Sequence, residues 1–220
     1  MRPLRPAASA ALLATMLSLS CAPPARAASF SGLDAFAAAW QKVDDYTCKI
    51  VTHETEGQEV QDRTYAYAFM KPDLAKIEIE RGPGRGGGAV WHGGDTVSGH
   101  QGGILSAIHL TVNLHDPRAT SLRGDTMNTA SFAYILRYYR ANEAHESEAP
   151  GPSIDGSPTE EILLDDRAPS QTGGVTRELL FISDKTHLPV VRQRFDGTTL
   201  VKSEHFIDVV LDPGLSAGDF

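Results

Sequence analysis

Cysteine is almost missing: the 220 residues hold two, Cys21 and Cys48. Two cysteines cannot build a disulfide scaffold or a four-cysteine zinc site. A basic excess is missing too. Twenty Lys and Arg face 28 Asp and Glu, for a formal net charge of −8, which argues against nucleic acid and anionic lipid headgroups as main partners. Past the N-terminus no apolar run reaches the length of a membrane span. No phosphate loop, dinucleotide glycine pattern, haem motif or H-E-x-x-H is present, and Ser98 lacks the first glycine of a G-x-S-x-G elbow. Paired carboxylates for sugar chemistry are spatial and leave no motif, so a hydrolase built on unrecognised acids stays a third class of reading. No internal repeat or heptad pattern is visible. No catalytic constellation emerges, and the expectation is a protein without enzymatic activity or cofactor.

What is present begins with a leader. Arg2 and Arg5 precede the apolar run Ala7–Leu19, Pro23-Pro24 breaks it, and Ala25-Arg26-Ala27 supplies small residues at a cleavage site. That order reads as a secretory signal peptide over residues 1–27, followed by one exported domain over 28–220. Cys21, after Leu19-Ser20, loosely resembles a lipobox and offers lipid anchoring as the less favoured alternative. Residues 1–27 carry three arginines and no acid, so the remaining chain is more acidic still. It keeps only Cys48, which alternates with Tyr46 and Ile50 and reads as a buried, inert strand cysteine.

Residues 31–44 read as a helix, with Leu33, Phe36, Ala37, Trp40 and Val43 on one face and Ser31/Asp34 as a capping start. From Tyr46 the period becomes two. Tyr65, Tyr67 and Phe69 alternate, and Ile77 and Ile79 alternate with Lys76, Glu78 and Glu80. Residues 81–88 (RGPGRGGG) form a glycine turn, and Val90–His100 a hairpin around Gly93-Gly94-Asp95. The run from Ile104 to Leu114 is apolar with an ambiguous period. Residues 128–140 predict a second helix capped by Asn128 or Thr129, and the acidic, Pro/Gly/Ser-containing residues 141–160 predict a solvated loop. Strands follow at Glu161–Leu164, Val175–Ser183, Pro189–Phe195 and Thr199–Val210, with Asp196-Gly197 as a hairpin turn. Eight or so strands, two helices and no βαβ order imply an α+β fold: a curved antiparallel sheet covered by helices.

Eight histidines are scattered along the chain. His92 and His100 face each other across the predicted hairpin with Asp95 at its tip, too little for a metal site, and no metal is expected. More apolar alternation is present than two helices can cover, so inward residues either line a pocket or fill a core.

The stretch Trp40–Lys49 (WQKVDDYTCK), the segments Tyr46-Thr47-Cys48 and Phe69…Pro72, and the closing order Asp184, Leu188-Pro189-Val190, Asp196-Gly197, Phe206-Ile207-Asp208, Asp219-Phe220 resemble the outer-membrane lipoprotein carrier (LolA-like) superfamily and an uncharacterised branch of exported bacterial proteins allied to it. The resemblance implies a protein of the periplasm in a Gram-negative envelope, folded as a half-open β-barrel holding acyl chains under helical lids. It implies binding and transfer of an acylated lipid or lipoprotein, with membrane-bound donor or acceptor proteins as further partners. The alternative is an envelope sensor or protein-interaction module on the same fold. Parity, and not the resemblance, nominates the cavity lining: Tyr65, Tyr67, Phe69, Ile77, Ile79, Val90, Leu105 and Ile108. The acidic stretch 141–160 and the glycine turn 81–88 depart from the family's pattern.

Overall fold

The computed structural model describes residues 31–165, 168 and 173–220; the expected signal peptide and Cys21 lie outside them. Helix α1 (Gly32–Gln41) starts where Ser31 Oγ accepts the amide of Asp34, and it buries Leu33, Phe36 and Trp40. Six strands follow as a meander: β1 (Asp45–Glu56), β2 (Glu59–Met70), β3 (Leu74–Arg81), β4 (Gly88–Trp91), β5 (Thr96–His100) and β6 (His109–Asn113). A crossing segment then carries helix α2 (Phe132–Arg140) over the sheet. A second meander returns through β7 (Glu146–Pro150), β8 (Thr159–Leu164), β9 (Arg177–Ser183), β10 (Pro189–Asp196) and β11 (Thr199–Leu211). All pairings are antiparallel, and the order is β6-β5-β4-β3-β2-β1-β11-β10-β9-β8-β7. The first and last strands therefore meet in the middle of one open eleven-stranded sheet, with both helices on one face.

Register explains the face. Tyr46, Cys48 and Ile50 of β1 pair with Phe69, Tyr67 and Tyr65 of β2, and those with Ala75, Ile77 and Ile79 of β3. Because side chains alternate along a strand, these residues share the concave side. Beneath the helices they close into an aromatic core: Tyr46 stacks on Phe132 at 4.4 Å between ring centroids, and Trp40 meets Tyr46 edge-on at 5.9 Å. Tyr46 Oη accepts the amide of Phe132 at 3.2 Å, and Tyr67 Oη donates to the Met127 carbonyl at 3.3 Å. Each fully buried aromatic contributes roughly 1.5–3 kcal/mol. Cys48 is buried, and burial pushes its thiol well above the usual range.

Two expectations are corrected and one ambiguity is resolved. The second helix begins at Phe132 with Ser131 as its cap, because Met127–Ala130 wind as a separate 3₁₀ turn. Residues 146–150, expected in a solvated loop, form edge strand β7 paired with β8; an edge strand needs one backbone partner only and tolerates charge and proline. The apolar run from Ile104 to Leu114, ambiguous in period, forms a 3₁₀ turn and edge strand β6: Ile104, Ile108 and Leu110 are 98%, 53% and 51% exposed, whereas Leu114 is buried.

Candidate functional site

Away from the aromatic core, the sheet and the crossing segment separate and enclose a cavity of about 680 Å³. Its apolar wall is Ile50, Tyr65, Ile77, Ile79 and Ala89 from the strands, faced by Met127 and Ala130. The rim is backbone-rich, made by residues 84, 85, 87, 88, 101–103 and 117–121. Glycine is required there: a Cβ at Gly102 would lie 2.0 Å from the Arg85 carbonyl oxygen, and Gly82, at φ +93°, would drive one into the Asp62 carbonyl oxygen at 2.1 Å. A second chamber of about 280 Å³, lined by Val97, Ile108, Leu110 and Val112, shares Ala89, His100 and Ala119 with the first. Both lie near or within the size range of small-molecule sites, about 300–1,000 Å³.

Of the residues nominated from parity, Tyr65, Ile77 and Ile79 line the main cavity and Ile108 the second chamber. Tyr67 and Phe69 share that face but are buried in the aromatic core. Val90 is a correction. It pairs with Lys76, so it lies opposite Ala89 on the convex side, in a hollow with His92, Ser98 and Phe220. Leu105 sits in the 3₁₀ turn, and its side chain falls outside the description. His92 and His100 do not pair across the hairpin: His100 lies opposite Gly88 on one side and His109 on the other. Among the described residues no three metal-ligating side chains converge.

Sequence reasoning missed a charged network whose Glu54, Asp125, Lys202 and Glu204 form the deep end of the cavity. On the concave side of β9–β11 and β1 sit Glu178, Arg192, Arg194, Lys202, Glu204 and Glu54, with Asp125 reaching in from the crossing segment. Arg192 donates to Glu178 Oε2 from Nε at 3.2 Å and Nη2 at 2.9 Å. Arg194 grips Asp125 with two hydrogen bonds of 2.8 and 2.6 Å. Lys202 donates to Asp125 at 2.8 Å and pairs with Glu54 and Glu204, and Tyr138 Oη donates to Glu178. Burial alone would raise the Asp125 carboxyl, but Lys202 and then Arg194 outweigh it and hold it well below the carboxylate range. Glu178 is likewise lowered, burial being overcome by Arg192 and Arg194. The network pins the crossing segment to the sheet, helped by the Leu122 amide donating to Glu54 at 3.0 Å and Arg123 to the Thr55 carbonyl at 2.7 Å.

At the far edge, Glu146 of β7 behaves oppositely. Burial, then a hydrogen bond with Glu148, then the charges of Glu148 and Glu143 raise its pKa to about 7. A carboxyl whose folded pKa is raised contributes fully below its unfolded value and loses that contribution as pH rises through the folded value. Glu146→Gln should therefore gain stability over the parent between about pH 4.5 and pH 7. Urea melts at pH 5 and pH 8 check this; the same difference at both pH values would refute it.

The chain thus forms an open antiparallel half-barrel whose helices cover the aromatic core and whose crossing segment covers an amphipathic cavity. No protein-family model and no curated protein matches the sequence. Solved structures do match its fold. An uncharacterised conserved protein from Thermus thermophilus is 8% identical, with 86% of this chain and 89% of that one covered at a TM-score of 0.55. MucB is 10% identical, with 86% and 60% covered at a TM-score of 0.50. A putative outer membrane lipoprotein-sorting protein domain from Vibrio parahaemolyticus is 12% identical, with 86% and 95% covered at a TM-score of 0.43. At these identities the likeness is one of fold.

Proposed function

We propose that this chain is an exported, non-catalytic carrier that takes up an acylated lipid or the acyl chains of a lipoprotein and hands them on unchanged in the periplasm. The observation that carries this reading is the cavity of about 680 Å³, walled by Ile50, Tyr65, Ile77 and Ile79 and continued by a second apolar chamber. Each methylene moved from water into such a wall gains about 0.8 kcal/mol, so the cavity lowers the barrier to moving an acyl chain without ATP. Membrane-bound donors and acceptors would load and unload it. Among the described residues no helix is long and apolar enough to cross a membrane.

Organic extraction and mass spectrometry of residues 28–220, purified gently from an envelope, should yield a stoichiometric acyl species. An empty protein that also refuses fluorescent fatty acids would overturn the reading. A second reading, an envelope sensor that binds protein, draws on edge strand β6, whose backbone and exposed Leu110, with exposed Ile108 just before the strand, offer a pairing surface.

A further inference from the structure

The carrier reading does not name the head group of the ligand, and the proposal below rests on that reading. Charge along the cavity is uneven. At the deep end Glu54, Asp125 and Glu204 are answered by Lys202 and Arg194. At the other end, beneath the 82–88 turn, the lining charges are guanidinium groups. Arg63, half-buried on the concave side of β2, donates from Nε to the Pro83 carbonyl at 2.8 Å and from Nη1 to Tyr65 Oη at 3.3 Å. Its acceptors are therefore neutral. Arg85, exposed on the turn itself, lines the same space. Neither Arg63 nor Arg85 has a carboxylate partner among the described residues. Arg118 across the rim differs, because Asp116 holds it through two hydrogen bonds of 2.9 and 2.7 Å.

Two unneutralised guanidiniums beside an apolar wall are an unusual placement in a chain with formal charge −8. The acidic balance describes the whole surface, whereas a ligand meets the local field at the rim. A guanidinium offers five N–H donors in a planar fork that matches carboxylate and phosphate oxygens, and Arg63 leaves donors unused. Tyr65 and Ile79 continue the wall directly below it.

We propose that the cavity selects anionic amphiphiles: a carboxylate or phosphate head group held at the rim by Arg63 and Arg85, with the chain lying along Tyr65, Ile77 and Ile79 toward the second chamber. A neutral acyl glyceride would use the wall and leave the arginines idle.

Competition against a fluorescent fatty acid, with palmitate, hexadecanol, hexadecylamine and a lysophosphatidate of matched chain, tests this. Palmitate or the lysophosphatidate should bind at least about tenfold tighter than hexadecanol, and hexadecylamine weakest. Whichever anion binds better identifies the head group as carboxylate or phosphate. Arg63→Gln with Arg85→Gln should erase the preference and leave hexadecanol affinity unchanged, with the same thermal melt as the parent. Added salt should shrink the preference in the parent only. Equal binding of palmitate, lysophosphatidate and hexadecanol by the parent, or equal losses for anion and alcohol in the variant, overturns the proposal while the carrier reading stands. Failure of every probe to bind overturns both.

Discussion

Replacing Arg192 by methionine should cost about 3–5 kcal/mol of folding stability, the typical penalty for removing one partner of a buried ion pair. Arg192 is 2% exposed, donates twice to Glu178, and lies 3.7 Å from Glu204 and 5.1 Å from the centre of the Tyr138 ring. Without it buried Glu178 loses its main counter-charge, while Glu204 loses one of three cations and keeps Lys202 at 3.4 Å. Replacing both partners, Arg192→Met with Glu178→Leu, should recover much of the loss, since a buried pair exchanged for apolar residues of similar volume is often neutral or stabilising. Urea unfolding of the parent, both single variants and the double variant at pH 7 measures the coupling. A loss under about 1 kcal/mol for Arg192→Met would mean that water or Arg194 takes over the pairing.

The second large effect concerns binding. Ala89 projects from β4 onto the concave side, opposite Ile77, at the junction of the two chambers. Ala89→Phe should block the passage and exclude about four methylenes of an acyl chain, roughly 3 kcal/mol or a 100- to 200-fold loss of affinity. Val90→Phe, one residue along on the convex side, should leave affinity within a factor of about two. Fatty-acid titrations of the two variants read the faces directly. Unchanged binding by Ala89→Phe would show that the ligand does not thread between the chambers, and equal losses in both variants would deny the assignment of faces.

Much of the architecture is legible in local pattern. Strict alternation around Tyr65, Ile77 and Ile79 gave the correct inward parity because each is separated from the next by a residue able to face solvent. Ala89-Val90-Trp91 has no polar residue to fix its phase, and the register with β3 turned Val90 outward. Edge strand β7 is acidic because only β8 pairs with it, a circumstance invisible in its own composition. The charged network was the least legible feature. Lys202 and Glu204 alternate with Val201 and Ser203, a pattern that locally assigns the charges to solvent. Their burial depends on Glu54 and Asp125, far away in sequence, and no short window contains all four.

The order of strands also sets a timetable. Each meander is local, so β1–β6 and β7–β11 can each build up from neighbouring hairpins, a single one of which forms in about 1–10 μs. The central seam is different: Tyr46 pairs with Leu211 and Glu54 with Lys202, contacts whose large sequence separation makes closure slow. A chain still emerging from its ribosome has both flanks of the sheet before it has the central seam. Until β11 arrives, the inner edge of β1 stays unpaired and available to any passing strand. Chaperone capture of the nascent chain should therefore be longest-lived on intermediates ending before Thr199 and should fall once residue 211 is free to dock.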